Sequence, residues 1–121
     1  MLHISSQQHY YLYREPTDMR KGFDKLCGII LHSMKLNILK GGVFIFLNKR
    51  RNQIKLIQWE GDGLAMYYKR LEKGTYEIPV SIDPNQLINP TQLKFILEGI
   101  QLQSIKNRVR YQHKSTDSML I

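Results

Sequence analysis

Apolar residues recur along this chain with distinct periods, and each period predicts a different element. Met19, Phe23, Leu26, Ile30 and Met34 fall at three- and four-residue steps, with Cys27 and Ile29 beside them. That spacing gives one apolar stripe and predicts an amphipathic helix over residues 18–35. The opposite face carries Arg20, Lys21, Asp24, Lys25 and His32. Pro16 ends whatever precedes the helix, and Thr17 or Asp18 can cap it, an acid being favoured at the positive end of the helix dipole. A second stripe, Leu93, Ile96, Leu97 and Ile100, follows Asn89-Pro90, with Gln92 in the capping-box position and Gly99 as a C-terminal stop.

Between these helices the period changes to two. "VFIFL" (43–47) is apolar on both faces, β-branched and aromatic, and predicts a central strand. "QIKLIQW" puts Ile54, Leu56 and Gln58 on one face and Lys55, Ile57 and Trp59 on the other. "LAMYYKRL" alternates in the same way, with Leu64, Met66, Tyr68 and Arg70 opposed to Ala65, Tyr67, Lys69 and Leu71. "EGDG" joins these two runs as a hairpin turn, since glycine tolerates positive φ. "TYEIPV" predicts a further strand, so residues 43–80 read as an antiparallel meander. "HYYLYRE" (9–15) adds a short aromatic strand. The expected fold is α+β: an antiparallel meander of four to five strands with both amphipathic helices packed on one face. Residues 1–100 form the single expected domain. Residues 101–121, where periodicity fades and Lys106, Arg108, Arg110 and Lys114 face only Asp117, form a weakly ordered basic tail.

Composition narrows the functional classes. Hydrophobic residues make up 42% of the 121-residue chain, enough for one core. Eighteen Lys and Arg stand against ten Asp and Glu, a formal charge of +8 and a pI near 9.7. A field of that sign attracts polyanions, nucleic acid first. The single cysteine excludes an intrachain disulfide and a cysteine-based zinc site and suits a reducing compartment. No apolar run approaches the roughly 20 residues that span a bilayer, and no signal peptide is legible, so a cytoplasmic protein without membrane contact is expected.

No reaction is encoded in a recognisable form. Asp18 and Asp24 point about 240° around a helix from each other and do not share a face well. Glu60 and Asp62 lie in a turn, where acids are common for backbone reasons. His3, His9, His32 and His113 do not pair at metal-ligand spacing, and Cys27 sits on the apolar stripe. No nucleophile elbow, P-loop or dinucleotide fingerprint is present. No catalytic residue, metal or cofactor is therefore assigned.

The cations, by contrast, are clustered. Arg20, Lys21 and Lys25 lie on the first helix, and Lys49, Arg50, Arg51 and Lys55 on the first hairpin. Lys69, Arg70 and Lys73 lie at the far end of the third strand of the meander. Antiparallel pairing brings the last two groups to one end of the sheet. Tyr67, Tyr68 and Trp59 are interleaved with them, as suits contact with bases or sugars. The competing explanation is edge protection by Lys and Arg, with the aromatics as core.

"PTDMRKGFDKL", then "IKLIQWEGDGLAMYYKRLEKGTYEIP", then "NPTQLKFILEGI" together resemble the TnpB-type accessory proteins of the insertion-sequence sixty-six family, over about residues 10–100. The matching positions are Pro16 to Phe23, then Lys55, Trp59, Gly61, Asp62, Gly63, Tyr68, Lys69, Arg70 and Leu71, with Glu60 where the family commonly has Asp. The resemblance implies a non-catalytic accessory protein of transposition, encoded beside a larger DDE transposase. The expected partners are the transposase or other proteins of the same element, from the resemblance, and the DNA of the element ends, from the clustered cations. The expected nucleic-acid contacts are Lys49, Arg50, Arg51, Lys55, Lys69, Arg70, Lys73, Arg20 and Lys21, made with little sequence specificity. The expected protein contacts are Thr17, Asp18, Met19, Trp59 and Asp62, with Met66 as a further anchor. A protein–protein adaptor without DNA contact is the alternative, and a small metal-dependent nuclease a remote one. Oligomeric state is not legible.

Overall fold

The computed structural model describes residues 4–79 and 86–99, so the 101–121 tail, His3, His113, Val80 and Ile100 lie outside the described residues. Five strands form one mixed sheet: β1 (Tyr10–Leu12), β2 (Val43–Leu47), β3 (Gln53–Trp59), β4 (Leu64–Arg70) and β5 (Leu87–Ile88), in the order β4-β3-β2-β1-β5. The β2-β3-β4 part is the expected antiparallel meander, with Phe46 opposite Lys55 and Lys55 opposite Tyr68. The rest departs from it. β1 is shorter than residues 9–15 and pairs parallel to β2, while β5 pairs antiparallel to β1. Parallel neighbours need a crossover, and helix α1 (Phe23–His32) supplies it between β1 and β2.

Residues 75–79 are not a strand, which corrects the reading of "TYEIPV" within its described part. Instead of extending the sheet beyond β4, this segment turns back to the β2–β3 loop, where the Tyr76 N–H donates to Arg51 O at 2.6 Å. The Tyr76 side chain is fully inserted in the core, and Pro79, which has no N–H to donate, disfavours ladder pairing.

The two helices cover opposite faces of the sheet, not one. Leu26 and Ile30 of α1 pack with Phe44, Phe46 and Ile57. Leu93 and Ile96 of α2 (Pro90–Glu98) pack with Tyr10, Leu12, Val43, Ile45, Leu47, Ile54 and Leu56. The cause lies in β2, all five residues of which are buried: a strand apolar on both faces must be covered on both. α2 has the predicted ends, a reciprocal Asn89–Gln92 capping box and Gly99 left-handed at φ 76°.

α1 is shorter than residues 18–35 and lacks the predicted cap. Its N-cap is Gly22, with no side-chain hydrogen bond, because Asp18 is committed to a turn of its own. Past its C-terminus Lys35 is left-handed at φ 61°, and Asn37 then caps a 3-10 turn, Ile38–Lys40. Gly42 precedes β2 at φ 104°, where a Cβ would meet the Tyr11 ring at 2.9 Å.

Candidate nucleic-acid interface

Beyond β1 the chain stays against β2. The Tyr13 N–H donates to Ile45 O at 3.0 Å, and the Thr17 N–H to Leu47 O at 2.8 Å. This delivers residues 16–20 to the end of β2 where the cationic hairpin begins. The "PTDMR" and "NKRRN" segments, distant in sequence, thereby form two walls of one groove of about 600 Å³, with Gln53 and Tyr68 between them.

The hairpin wall is built by Asn48. Its side-chain oxygen accepts from the N–H groups of Asn52 (3.0 Å) and Gln53 (2.9 Å), and its amide donates to Asn52 Oδ1 at 2.6 Å. The Arg51 N–H donates to Asn48 O at 3.0 Å, closing the turn, with Arg51 left-handed at φ 58°. Lys49, Arg50 and Arg51 project into solvent, and among the described residues none has an ion pair.

The opposite wall is a compact ionic turn. Asp18 accepts from the Arg20 backbone N–H at 2.9 Å and from the Arg20 guanidinium at 2.7–3.1 Å. The Arg20 side chain holds the Asp18 carboxyl well below the usual carboxylate range, and Asp18 raises the Arg20 guanidinium in turn. Arg20 therefore brings a largely neutralised charge to the groove.

Lys55 differs from every other clustered cation. It is 6% exposed on the α1 face of the sheet. Its Nζ donates to Met19 O at 2.7 Å and Lys21 O at 2.9 Å and lies 4.6 Å from the centre of the Tyr68 ring. The charge is used to fasten the 18–21 turn onto the sheet, which is why a Lys stands among the buried positions of the strand. The sequence signal was available: Lys55 shares a face with Ile57 and Trp59, the pattern of a buried side chain. Tyr68 donates to Gln53 Oε1, yet half of its surface meets solvent.

The two outer cation groups do meet at one end of the sheet. Gln53 pairs with Arg70 and Ile54 with Lys69, and the Leu71 N–H donates to Asn52 O at 2.8 Å. Lys69 and Arg70 alternate, so Arg70 lies on the α1 face and Lys69 on the α2 face of this rim. Arg70 has an exposed acid, Glu72, at 3.7 Å, and Lys73 is exposed in the following turn. Lys21 is half-buried and Lys25 exposed on α1.

The residues expected to bind protein do not form one surface. Thr17 is buried, Met19 half-buried and Asp18 paired, all beside the groove. Trp59 and Asp62 lie toward the other end of β3, about 20 Å along the strand from Gln53. Trp59 there lines an apolar recess of about 270 Å³ with Cys27, Leu31, Leu36, Leu39 and Leu64. Met66 packs on the α1-side core, and burial, then the nearby Asp24 charge, pushes the Cys27 thiol up. Among the described residues no three His, Cys, Asp or Glu side chains gather so as to hold a metal ion, and no helix is long and apolar enough to cross a membrane.

The chain is similar to uncharacterized protein y4hO of Sinorhizobium fredii (strain NBRC 101917 / NGR234), 36% identical over 84 residues, covering 69% of this chain and 73% of that one. It is also similar to uncharacterized protein y4jC of the same organism, 24% identical over 94 residues, covering 78% and 80%. No solved structure matches significantly. The model of the family described as IS66 Orf2 like protein matches residues 8–107, and that family points to an accessory role in transposition. The chain belongs to the IS66 Orf2 like protein family.

Proposed function

We propose that this protein is a non-catalytic accessory factor that grips the DNA backbone of its element through the cationic end of the sheet and meets the transposase while doing so. The observation that carries this reading is the hairpin Lys49-Arg50-Arg51, exposed and without ion pairs among the described residues, beside Lys69, Arg70 and Lys73. Cations on a common rim neutralise several phosphates at once and release counterions, giving affinity without base readout. Lys55 and Arg20 serve by building the groove, not by meeting phosphate. The working compartment on this reading is the cytoplasm.

A second reading, a protein–protein adaptor without DNA contact, is favoured by the apolar recess around Trp59, where Leu31 is 55% and Leu39 60% exposed. Co-purification with the element's transposase, with and without nuclease treatment, separates the two. The DNA reading expects nuclease, or Arg50→Ala with Arg51→Ala, to weaken recovery. Recovery indifferent to both would leave only the adaptor.

A further inference from the structure

The rim accounts for charge but not for the groove beside it, whose lining is mixed. Lys49 and Arg50 stand on the hairpin wall, Asn52 and Gln53 supply side-chain amides, and Tyr68 supplies a half-exposed ring. We propose that this groove takes an unpaired nucleotide, its base stacked on Tyr68 and its phosphates held by Lys49 and Arg50. The proposal rests on the nucleic-acid reading above and specifies the form of ligand.

Three observations converge. The Tyr68 ring is fixed on both sides of its chemistry: Lys55 Nζ lies 4.6 Å from the ring centre, and the hydroxyl is held by Gln53. A ring so held loses little freedom when a base stacks on it, and base–aromatic stacking tolerates any base. The groove, about 600 Å³, lies within the range of small-ligand sites and accommodates a base with its sugar. Its amides are also oriented. Asn48 Oδ1 accepts two backbone N–H groups, so its amide must donate to Asn52 Oδ1, which leaves the Asn52 amide N–H₂ as a donor suited to base carbonyls.

The alternatives use less of this lining. A duplex offers phosphates to the cations but keeps its bases stacked inside, away from Tyr68. A phosphorylated peptide would use Lys49 and Arg50 and leave the ring and the amides idle. An unpaired base at a strand end or nick uses all of them.

The test measures binding of the full chain to oligo(dT) of about 20 nucleotides and to a duplex of equal length, for the wild type, Tyr68→Leu and Tyr68→Phe. Tyr68→Leu is expected to weaken oligo(dT) binding by at least about fivefold while duplex binding changes by less than about twofold. Tyr68→Phe, which keeps the ring, is expected to retain most oligo(dT) affinity. Equal losses on both ligands, or no loss on either, overturn the stacking site, and salt-dependent duplex binding in that case leaves the rim standing. Wild type that binds neither ligand overturns both readings. Because Tyr68→Leu also alters the cover over Lys55, a second measurement uses the unmodified protein: photocrosslinking to 5-iodouracil-substituted oligo(dT), mapped by mass spectrometry. The expected adduct is on Tyr68, and adducts confined to other segments overturn the proposal.

Discussion

Lys55 holds the 18–21 turn to the sheet. Counted among the cations it looks like a phosphate contact. Folded, it is a buried clamp whose ammonium satisfies two carbonyls of the 18–21 turn. Lys55→Met should therefore cost about 1–3 kcal/mol, the penalty of leaving those carbonyls without a donor, in urea unfolding. Gly42 is the complementary case, since both its positive φ and the 2.9 Å approach of the Tyr11 ring exclude a side chain. Gly42→Ala should destabilise by at least about 1 kcal/mol in the same assay. Arg51 carries the opposite expectation. Its left-handed backbone suits glycine, so Arg51→Gly should leave stability unchanged or raise it by up to about 1 kcal/mol while removing one exposed charge. Cys27, with its thiol pushed up, should show an alkylation rate profile displaced to higher pH than a free thiol, because less thiolate is present at any given pH.

At the scale of elements, the meander β2-β3-β4, the α2 capping box and the split of β3 and β4 into two faces were legible, because each rests on local period and turn chemistry. The extent of α1 was not. Met19 and Phe23 keep helical spacing, but Asp18 binds Arg20 and leaves Gly22 to start the helix. Asp18→Ala should accordingly leave helicity by circular dichroism unchanged, whereas Asn89→Ala should cost about 1 kcal/mol by removing a real cap. Acid should release the Asp18–Arg20 turn late. A depressed carboxyl pKa contributes above its unfolded value and is lost only as pH falls through the lower folded one, so the turn's signals by NMR should persist well below the pH at which ordinary carboxylates titrate. The placement of β1, parallel to β2, was hidden because a three-residue strand carries no sign of its partner. The sides taken by the helices were within reach: five buried residues in β2 require cover on both faces.

For the molecule as a whole, folding turns three separate stretches of sequence into one cationic end with a groove in it. The antiparallel register alone predicts that Lys49 to Arg51 and Lys69 to Lys73 meet. The arrival of "PTDMR" beside them does not follow from any local pattern, because it depends on the parallel course of residues 10–17 along β2. Phosphate binding by that end is measured most directly as affinity for a terminal-repeat duplex as a function of salt. With three to five phosphates engaged, the wild type should lose roughly 40- to 500-fold in affinity between about 50 and 200 mM salt. The Lys49→Ala, Arg50→Ala, Arg51→Ala combination should flatten that slope by about two to three units at unchanged thermal stability. Binding that ignores salt, or a combined variant that binds with the wild-type slope, would contradict phosphate binding by that end.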